Sequence, residues 1–271
     1  MTYLMESDSE ARRLLEQERS SPSLERLRVT GLRPGAVVLD AGCGPGAITA
    51  SLVRMVGPEG RVVALDPSEP RLEEAARVLH GMDNVELVCA ALPQSGLPAS
   101  LAQTGLPSDH FDYTWCQYVF EYLRDPETAL DELIRVTRPG GKVVVADIDG
   151  VGLLNWPFPA LLRDGTEKLM RALTEQGLDL NVGRKLYHLF RQHGLRDVRV
   201  HLSPFYVVGG RADDAMVADW SLRFDVLKPI GVPALGGEAA YTQFRDAFLE
   251  MLRDEETFKY AVVLTTEGTK P

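Results

Sequence analysis

Residues 37–46 have the sequence VVLDAGCGPG, and this stretch decides the fold class. Its apolar, β-branched start is typical of a buried strand, and its three closely spaced glycines predict a tight turn directly after that strand. Ile48, Leu52 and Met55 then recur at helical spacing, which predicts an amphipathic helix. Strand, glycine loop and helix together form the first half of a βαβ unit.

The same alternation continues on both sides of residue 66. Residues 62–66 (VVALD) predict a second strand, and Ser68 with Pro70 predicts the start of the next helix. Further strands are predicted at 85–89, 113–116, 143–145, 198–205 and 258–264. The capping pattern Asp164-x-x-Glu167 predicts the start of another helix. Strands that alternate with helices indicate a parallel sheet with helices on both faces.

Length and charge restrict the class of protein. A chain of 271 residues favours one large domain, or one domain with a cap. It has 29 Lys and Arg against 39 Asp and Glu, a net charge of −10, which argues against a nucleic-acid partner. No run of about 18 apolar residues predicts a membrane span. Three cysteines without paired spacing, and no secretion signal, predict reduced thiols and a cytoplasmic location.

The glycine loop predicts a nucleotide-type ligand. Gly42, Gly44 and Ala47 satisfy the loose G-x-G-x-x-G/A pattern of dinucleotide binders, and Asp66 stands where a ribose-binding acid is expected. Asp40 argues against a pyrophosphate, because two like charges about 4 Å apart repel each other by about 1 kcal/mol even in water. A ligand with a ribose, an amino group near Asp40 and no pyrophosphate is S-adenosylmethionine. In the alternative interpretation, Asp40 only caps the turn.

Four motifs in order resemble the class I S-adenosylmethionine-dependent methyltransferases, in particular the branch with ubiquinone and menaquinone biosynthesis enzymes and natural-product small-molecule methyltransferases. The motifs are residues 37–46, 62–68 (VVALDPS), 111–123 (FDYTWCQYVFEYL) and 135–142 (RVTRPGGK). The resemblance covers roughly residues 24–206. It implies an α/β, Rossmann-like, doubly wound sheet of seven mostly parallel strands with the last strand antiparallel.

The resemblance also implies which residues bind the cofactor, S-adenosyl-L-methionine. The glycine loop would hold its methionine end, the second strand its ribose, the residues after the third strand its adenine, and the end of the fourth strand its amino and carboxylate groups. In that order the residues are Asp40, Gly42, Cys43, Gly44 and Gly46; Asp66 and Pro67; Ala90, Ala91 and Leu92; Cys116 and Gln117. Ala91 stands where the family usually has an Asp that binds the adenine amino group.

Residues 1–22 are predicted to form a helical lid. Several relatives carry a helix similar to Glu10-x-x-Arg13-Leu14-x-x-Gln17, which closes over the cofactor. On that resemblance, Arg13 and Gln17 would bind the methionine carboxylate. A solvated helix face is the alternative.

Candidates for a catalytic base follow the fourth and fifth strands. Asp147 and Asp149 stand at the carboxyl edge of the sheet, and Tyr118 follows the fourth strand. Loop capping explains the two aspartates equally well. The five histidines have no metal-ligand spacing, so no metal site is expected.

The expected organisation is a single methyltransferase domain over 1–271, with the cofactor-binding core at 24–206 and 256–271 and a helical cap inserted at 207–255. The two helices of the cap each carry one apolar face, and Trp220 and Tyr241 are candidates for the wall of an acceptor pocket. A thicker core, or the contact surface of a homodimer, is the alternative role for this segment.

The predicted function is methyl transfer to the O, N or C nucleophile of a small-molecule acceptor, in secondary metabolism or cofactor biosynthesis. Two alternatives stay open at this point. One is a catalytically silent or non-methylating protein with the same fold, which the Ala91 departure favours. The other is a dinucleotide-dependent oxidoreductase.

Overall fold

The structure of the chain is a computed structural model that describes residues 23–93 and 104–271. The lid predicted at 1–22, with Arg13 and Gln17, lies outside the described residues. The chain divides into two compact units. The first, here called the sheet unit, comprises the described residues up to Asp147 together with Val182–Ser203 and Leu264–Pro271. The second, the helical unit, comprises Ile148–Asn181 and Pro204–Val263.

A seven-stranded sheet organises the sheet unit, and its strand order is β3-β2-β1-β4-β5-β7-β6. The strands are β1 (Val37–Ala41), β2 (Arg61–Asp66), β3 (Val85–Cys89), β4 (Phe111–Gln117), β5 (Thr137–Trp156), β6 (Arg196–Gly209) and β7 (Phe258–Thr269). Six strands run parallel and the last is antiparallel, which confirms the predicted Rossmann-like fold. β5, β6 and β7 each continue into the helical unit.

Among the described residues, five helices belong to the sheet unit. They are α1 (Ser23–Val29), α2 (Ala47–Val56), α3 (Glu69–Val78), α4 (Pro126–Val136) and α6 (Gly183–Gln192), and a short 3-10 helix spans Phe120–Tyr122. Their apolar faces bury the predicted periodic residues: Leu52 of α2, Leu130 of α4 and Leu186 of α6 have no exposed surface. The loops after β1, β2 and β4 lie at the carboxyl edge of the strands, where open α/β sheets bind their ligands.

β5 is much longer than the predicted strand at 143–145. It begins at Thr137, so the Pro-Gly-Gly sequence at 139–141 lies within the strand and does not form a separate loop. Thr137 pairs with Phe111 and Lys142 pairs with Tyr113, and the register shifts between these two pairs. The irregular backbone at Pro and Gly is therefore accommodated by a shift in pairing, which the local sequence does not specify.

The helical unit contains α5 (Ala160–Glu175), α7 (Asp214–Leu235) and α8 (Glu238–Arg253). α5 begins four residues before Asp164, so the predicted start at the Asp164-x-x-Glu167 pattern is wrong. Pro159 precedes the helix, and a proline fits there because the first turn needs no amide donor. Across residues 23–93 and 104–271, no helix combines the length and the apolar character needed to cross a membrane.

Aromatic side chains form the core of the helical unit. The rings of Trp220 and Phe248 lie 4.6 Å apart, and Phe224 lies 5.4 Å from Phe248 and 6.0 Å from Phe244. The Tyr241 hydroxyl donates to the main-chain oxygen of Phe224, so its polar end is satisfied inside this core. Trp220 and Tyr241, the candidate wall residues, are only 8% and 2% exposed.

Candidate functional site

The predicted cofactor residues meet at one edge of the sheet. Parallel register places Ala41 opposite Cys116, Asp66 opposite Cys89, and Gln117 opposite Ala146. The carboxyl ends of β1, β2, β3 and β4 are therefore level with one another and with Ala146 of β5. In open α/β sheets this edge is where ligands bind.

The glycine loop is held against β2 by its own main chain. The amides of Gly42 and Cys43 both donate to the carbonyl of Leu65, at 2.7 and 2.9 Å. Gly42 has φ +82°, and a Cβ there would lie 2.3 Å from Cγ2 of Val119. Protein packing alone therefore explains the glycine at position 42.

Gly44 differs from Gly42, because the described residues leave open space where its side chain would be. Its φ is +53°, and a Cβ there would meet only Nη1 of Arg71, at 3.7 Å. A close approach of the loop backbone to a ligand requires such a position. Arg71, on α3, also brings a positive charge to the loop, which sequence reasoning did not find.

Asp66 is fixed next to Gly44. One oxygen of its carboxylate accepts from the Gly44 amide and the other from the Ser68 amide, both at 2.9 Å. The residue is only 7% exposed. Since a carboxylate oxygen can accept more than one hydrogen bond, this geometry is compatible with ribose hydroxyls as additional donors. Pro67 lies between Asp66 and Ser68 and is exposed.

Asp40 lies below the loop, inside the protein. It is 2% exposed, and its Oδ2 accepts from the hydroxyl of Thr49, on α2, at 2.6 Å. Burial raises the pKa of the Cys43 thiol, and the nearby carboxylates of Asp40 and Asp66 raise it further. Burial raises the pKa of the Cys116 thiol as well, with Asp147 and Asp40 adding to the effect. Both shifts favour the protonated thiol.

The end of β4 carries the remaining cofactor candidates. Cys116 is fully buried, whereas Gln117 is partly exposed and its side-chain oxygen accepts from Nη2 of Arg26 at 3.1 Å. Tyr118 adopts φ +56°, and its amide donates to Ala146 at 3.0 Å. Left-handed backbone in a non-glycine residue costs free energy, and such residues concentrate at functional sites.

The two aspartates proposed as bases lie in different units. Asp147 belongs to the sheet unit, has no exposed surface and accepts from the Glu121 amide at 3.2 Å. This bond ties β5 to the 3-10 helix after β4, as the loop-capping alternative expects. Asp149 belongs to the helical unit and is 6% exposed.

The three residues after β3 differ in exposure. The Ala90 amide continues the ladder by donating to the carbonyl of Asp66 at 3.2 Å. Ala91 is exposed and Leu92 is 6% exposed. Ala91 offers no side-chain hydrogen bond, so Leu92 and the main chain are the groups available there for adenine.

Two of the five histidines lie beside a carboxylate. His193 Nδ1 lies 2.6 Å from Asp131, and His201 Nε2 lies 2.9 Å from Glu267. Within the part of the chain that the structure describes, no group of three or more His, Cys, Asp or Glu side chains could hold a metal ion.

The methyltransferase domain family matches residues 39–145, which contain the end of β1, the glycine loop and β2 to β4. The chain is 36% identical over 124 residues to the ubiquinone/menaquinone biosynthesis C-methyltransferase UbiE of Hahella chejuensis, covering 44% of this chain and 45% of that protein. It is 31% identical over 162 residues to the trans-aconitate 2-methyltransferase of Methylobacterium radiotolerans, covering 60% and 53%. The chain thus spans about half the length of the curated relatives it matches.

Solved structures share the fold at low identity. A SAM-dependent methyltransferase from Aquifex aeolicus has a TM-score of 0.55 and 19% identity, with 97% of this chain and 98% of that chain covered. The [4+2]-cyclase SpnF has a TM-score of 0.56 and 17% identity, with 94% and 81% covered.

The residues of the loop and of β2 fit the cofactor of that family. Gly44 provides a backbone position that a Cβ would fill, and Asp66 provides a carboxylate held by two amides. The family match also replaces the dinucleotide interpretation of the glycine loop. The motifs, the sheet order and these matches together show that residues 39–145 are similar to the methyltransferase domain family and that the fold is shared with a solved SAM-dependent methyltransferase.

Proposed function

We propose that this protein transfers the methyl group of S-adenosylmethionine to a small-molecule acceptor. The observation that carries the proposal is the pairing of Gly44 with Asp66. The Cβ position of Gly44 has open space around it, and the buried carboxylate of Asp66 lies next to it. The Gly44 amide donates a hydrogen bond to Oδ2 of Asp66 at 2.9 Å. This arrangement fits a ligand with vicinal hydroxyls and an adjacent uncharged linker.

When bound, the cofactor supplies an electrophilic methyl group on a sulfonium, which leaves as a neutral thioether. The task of the chain is then alignment, and positioning can contribute roughly 7–11 kcal/mol to such a reaction. The glycine loop and Asp66 fix one partner, while Tyr118 is held in a strained conformation at the end of β4. Tyr118, Asp147 and Asp149 stay our candidates for a base, with Asp147 also fixing the 3-10 helix.

The acceptor class and pathway belong to the same proposal. Relatives named for ubiquinone/menaquinone biosynthesis and for trans-aconitate methylation support an acceptor of small size, with an O, N or C nucleophile. We place the reaction in secondary metabolism or cofactor biosynthesis, in the cytoplasm. A homodimer is part of this hypothesis, and size-exclusion chromatography with light scattering tests it.

A second candidate function is a non-methylating reaction on the same fold. One structural neighbour is titled a [4+2]-cyclase, and the exposed Ala91 replaces the acid that usually binds adenine in the family. A protein of this kind would bind the cofactor, or its product, without consuming it.

The test measures binding and chemistry separately. Titration calorimetry with S-adenosylmethionine should show binding, and Asp66→Ala should weaken it by about 1.5–3 kcal/mol, because ribose hydroxyls lose a charged acceptor. Glu69→Ala, three residues further on at an exposed position, is the matched control and should leave the affinity unchanged. Unchanged affinity in Asp66→Ala would contradict the assigned site.

Chemistry is then followed as S-adenosylhomocysteine formation across a panel of small-molecule acceptors, with the product mass as the readout. A mass gain of one methyl group supports the proposal. Tight cofactor binding, with no methylated product and a rearranged substrate of unchanged mass, would favour the second candidate.

A further inference from the structure

We propose that β6 pairs with the β6 strand of a second copy of this chain, so that the two seven-stranded sheets join through one antiparallel strand pair. The inference deepens the homodimer that forms part of the proposed function, because it names the interface. The pairing residues, 198–202, lie in the sheet unit and outside the segment 207–255 that the sequence suggested for a dimer contact.

β6 is an edge strand of the sheet. It is last in the strand order, so within the described residues it has a neighbouring strand on one side only, β7. It is also long, with 14 residues from Arg196 to Gly209. The outer edge of such a strand presents main-chain N–H and C=O groups that can pair with another chain. Pro204 is the first proline of β6, so residues 196–203 keep all their amide donors for such pairing.

An apolar strip runs along one face of β6. Val198, Val200 and Leu202 share that face, because alternate side chains of a strand point the same way. Val198 is partly buried and packs against the hydrophobic core of the sheet unit. Val200 is 42% exposed and Leu202 is 69% exposed, the highest value for a large apolar side chain in the described part of the sheet unit. The apolar face of the core therefore continues along β6 into solvent.

The strip is self-complementary in one antiparallel register, in which Val200 lies opposite Val200 of the second copy. Val198 then lies opposite Leu202, and Leu202 opposite Val198, so every apolar side chain of the strip meets another. A contact in which residue i meets j and j meets i is the contact of a twofold dimer. This pattern is the reason for assigning the edge to a second copy rather than to an unrelated chain.

Other registers pair less well. A shift of one residue turns the strip of one strand toward the polar face of the other. A shift of two residues in one direction places Arg199 opposite Arg199, and like charges directly opposite each other destabilise a sheet. The same shift in the other direction places Val198 opposite Pro204, which lacks the amide donor for a ladder.

The polar face of β6 is complementary in the register centred on Val200. Arg199 lies opposite His201 of the second copy in that register. His201 Nε2 lies 2.9 Å from Oε1 of Glu267 on β7, and Glu267 is 3% exposed. A neutral ring that donates through Nε2 to this carboxylate keeps Nδ1 as an acceptor. Arg199 thus faces an acceptor backed by a negative charge.

The first experiment measures the dimer and the role of the strip. Pairing over about five residues gives a small interface, so we expect a dissociation constant on the order of micromolar. Size-exclusion chromatography with light scattering, from about 1 to about 200 μM protein, should show a concentration-dependent dimer. Leu202→Glu should weaken it by at least about tenfold, because two carboxylates enter the apolar strip.

Leu222→Glu is the matched control. Leu222 is 63% exposed on α7, within segment 207–255, so this variant adds the same charge at a similarly exposed leucine of the helical unit. It should leave the dimer unchanged. Dissociation by Leu222→Glu without dissociation by Leu202→Glu would move the contact to the helical unit and overturn the proposal.

The second experiment tests the register by cross-linking, and it stays informative if Leu202→Glu does not fold. A Cys89→Ser background removes the exposed native thiol. In it, Val200→Cys should form an intermolecular disulfide under mild oxidation, because directly opposite residues have Cα atoms about 4.5–5.5 Å apart. Leu202→Cys should not cross-link, because its two copies are displaced by about 13 Å along the strands.

The remaining outcomes separate this interface from its alternatives. A chain that is monomeric over the whole concentration range overturns the dimer. If residues 1–22 of the same chain cover the strip instead, the protein is monomeric and Leu202→Glu lowers its free energy of unfolding. Cross-linking of Leu202→Cys with none of Val200→Cys overturns the register and with it the proposed pairing.

Calorimetry with S-adenosylhomocysteine distinguishes this inference from the proposed function. A monomeric protein that binds S-adenosylhomocysteine overturns the β6 interface and leaves methyl transfer in place. A protein that dimerises through β6 as described but binds neither S-adenosylmethionine nor S-adenosylhomocysteine supports the interface and overturns the proposed function.

Discussion

Gly165 and Gly231 of the helical unit serve the opposite purpose to Gly44 of the sheet unit. In the helical unit, a Cβ at Gly165 would lie 2.4 Å from Cδ2 of Phe244, and one at Gly231 would lie 2.2 Å from Cε2 of Tyr241. In the sheet unit, a Cβ at Gly44 would have only Arg71 nearby, at 3.7 Å, among the described residues. The helical glycines admit aromatic rings, whereas Gly44 leaves space at a predicted ligand site.

This difference separates stability from binding. Residues that fill the space beside the helical glycines belong to a closed aromatic core, so their loss should unfold the unit before it affects a ligand. Gly44 has no side chain and Asp66 is a polar side chain held by two amides, so their replacement should affect the ligand first. The sequence suggested that Trp220 and Tyr241 line an acceptor pocket, and their burial now makes stability the first property to measure.

The largest expected effect comes from the aromatic core. Phe244→Ala should lower the free energy of unfolding by about 3–5 kcal/mol, because it removes a ring that packs on Phe224 and Phe248. Urea unfolding followed by circular dichroism measures this change. Leu222→Ala, at a 63% exposed position of α7, is the control and should change it by less than about 0.5 kcal/mol.

The same variant sharpens the comparison between the units. Under conditions where Phe244→Ala is folded, its affinity for S-adenosylmethionine should stay within about threefold of the wild type, while turnover and acceptor KM change. Equal loss of cofactor affinity and turnover would contradict the expectation that Phe244 does not contribute to cofactor binding. A change in the free energy of unfolding below about 1 kcal/mol would refute the aromatic core as a source of stability.

An intermediate effect is expected at Gly44. Gly44→Ala should weaken S-adenosylmethionine binding at least about tenfold, because the methyl group enters the space beside the loop. It should also cost roughly 1–2 kcal/mol of stability, since alanine is strained at φ +53°. Calorimetry and urea unfolding give the two values.

Gly35→Ala is the matched control for backbone strain. Gly35 has φ +78°, and within the described residues nothing lies within 4 Å of its Cβ position. It should lose a similar amount of stability and no cofactor affinity. If both variants bind the cofactor as the wild type does, Gly44 does not face the ligand.

The smallest expected effect is a pH dependence inside the sheet unit. Burial alone would raise the pKa of Glu132, but hydrogen bonds from Arg135 and Thr104 outweigh it, so the pKa lies below its usual value. The ionised carboxylate of Glu132 therefore stabilises the folded protein fully above the usual Glu pKa of about 4.3. This stabilisation is lost as the pH falls through the lowered pKa of Glu132 in the folded state. Glu132→Gln should cost about 1 kcal/mol at neutral pH and progressively less in acid.

Urea unfolding of both proteins between about pH 7 and about pH 3 checks this prediction. Glu86→Gln is the control, because the side chain of Glu86 is 50% exposed and its pair with Arg61 should contribute little. A constant difference between Glu132→Gln and wild type across the whole range would show that the ionised carboxylate is not the stabilising group.

Much of the sheet unit follows from local sequence signals. The glycine loop after β1, Asp66 at the end of β2 and the strand at 85–89 were all predicted, because each depends on hydrophobic periodicity or on a turn that only glycine forms easily. Long-range effects account for the failures. β5 includes residues 139–141 because neighbouring strands pair with it, and α5 begins at Ala160 although the local capping pattern favours a later start.

The sequence by itself indicated the resemblance to methyltransferases, the order of β1 to β4 with α2, α3 and α4, and the residues predicted to bind the cofactor, since those features lie in contiguous motifs. Only the tertiary structure decided that residues 148–181 group with 204–263, that Trp220 and Tyr241 are core residues, and that Arg26 contacts Gln117 across 91 positions of sequence. The physical reason is that backbone preferences act over a few residues, whereas burial and side-chain contacts depend on which distant segments pack together.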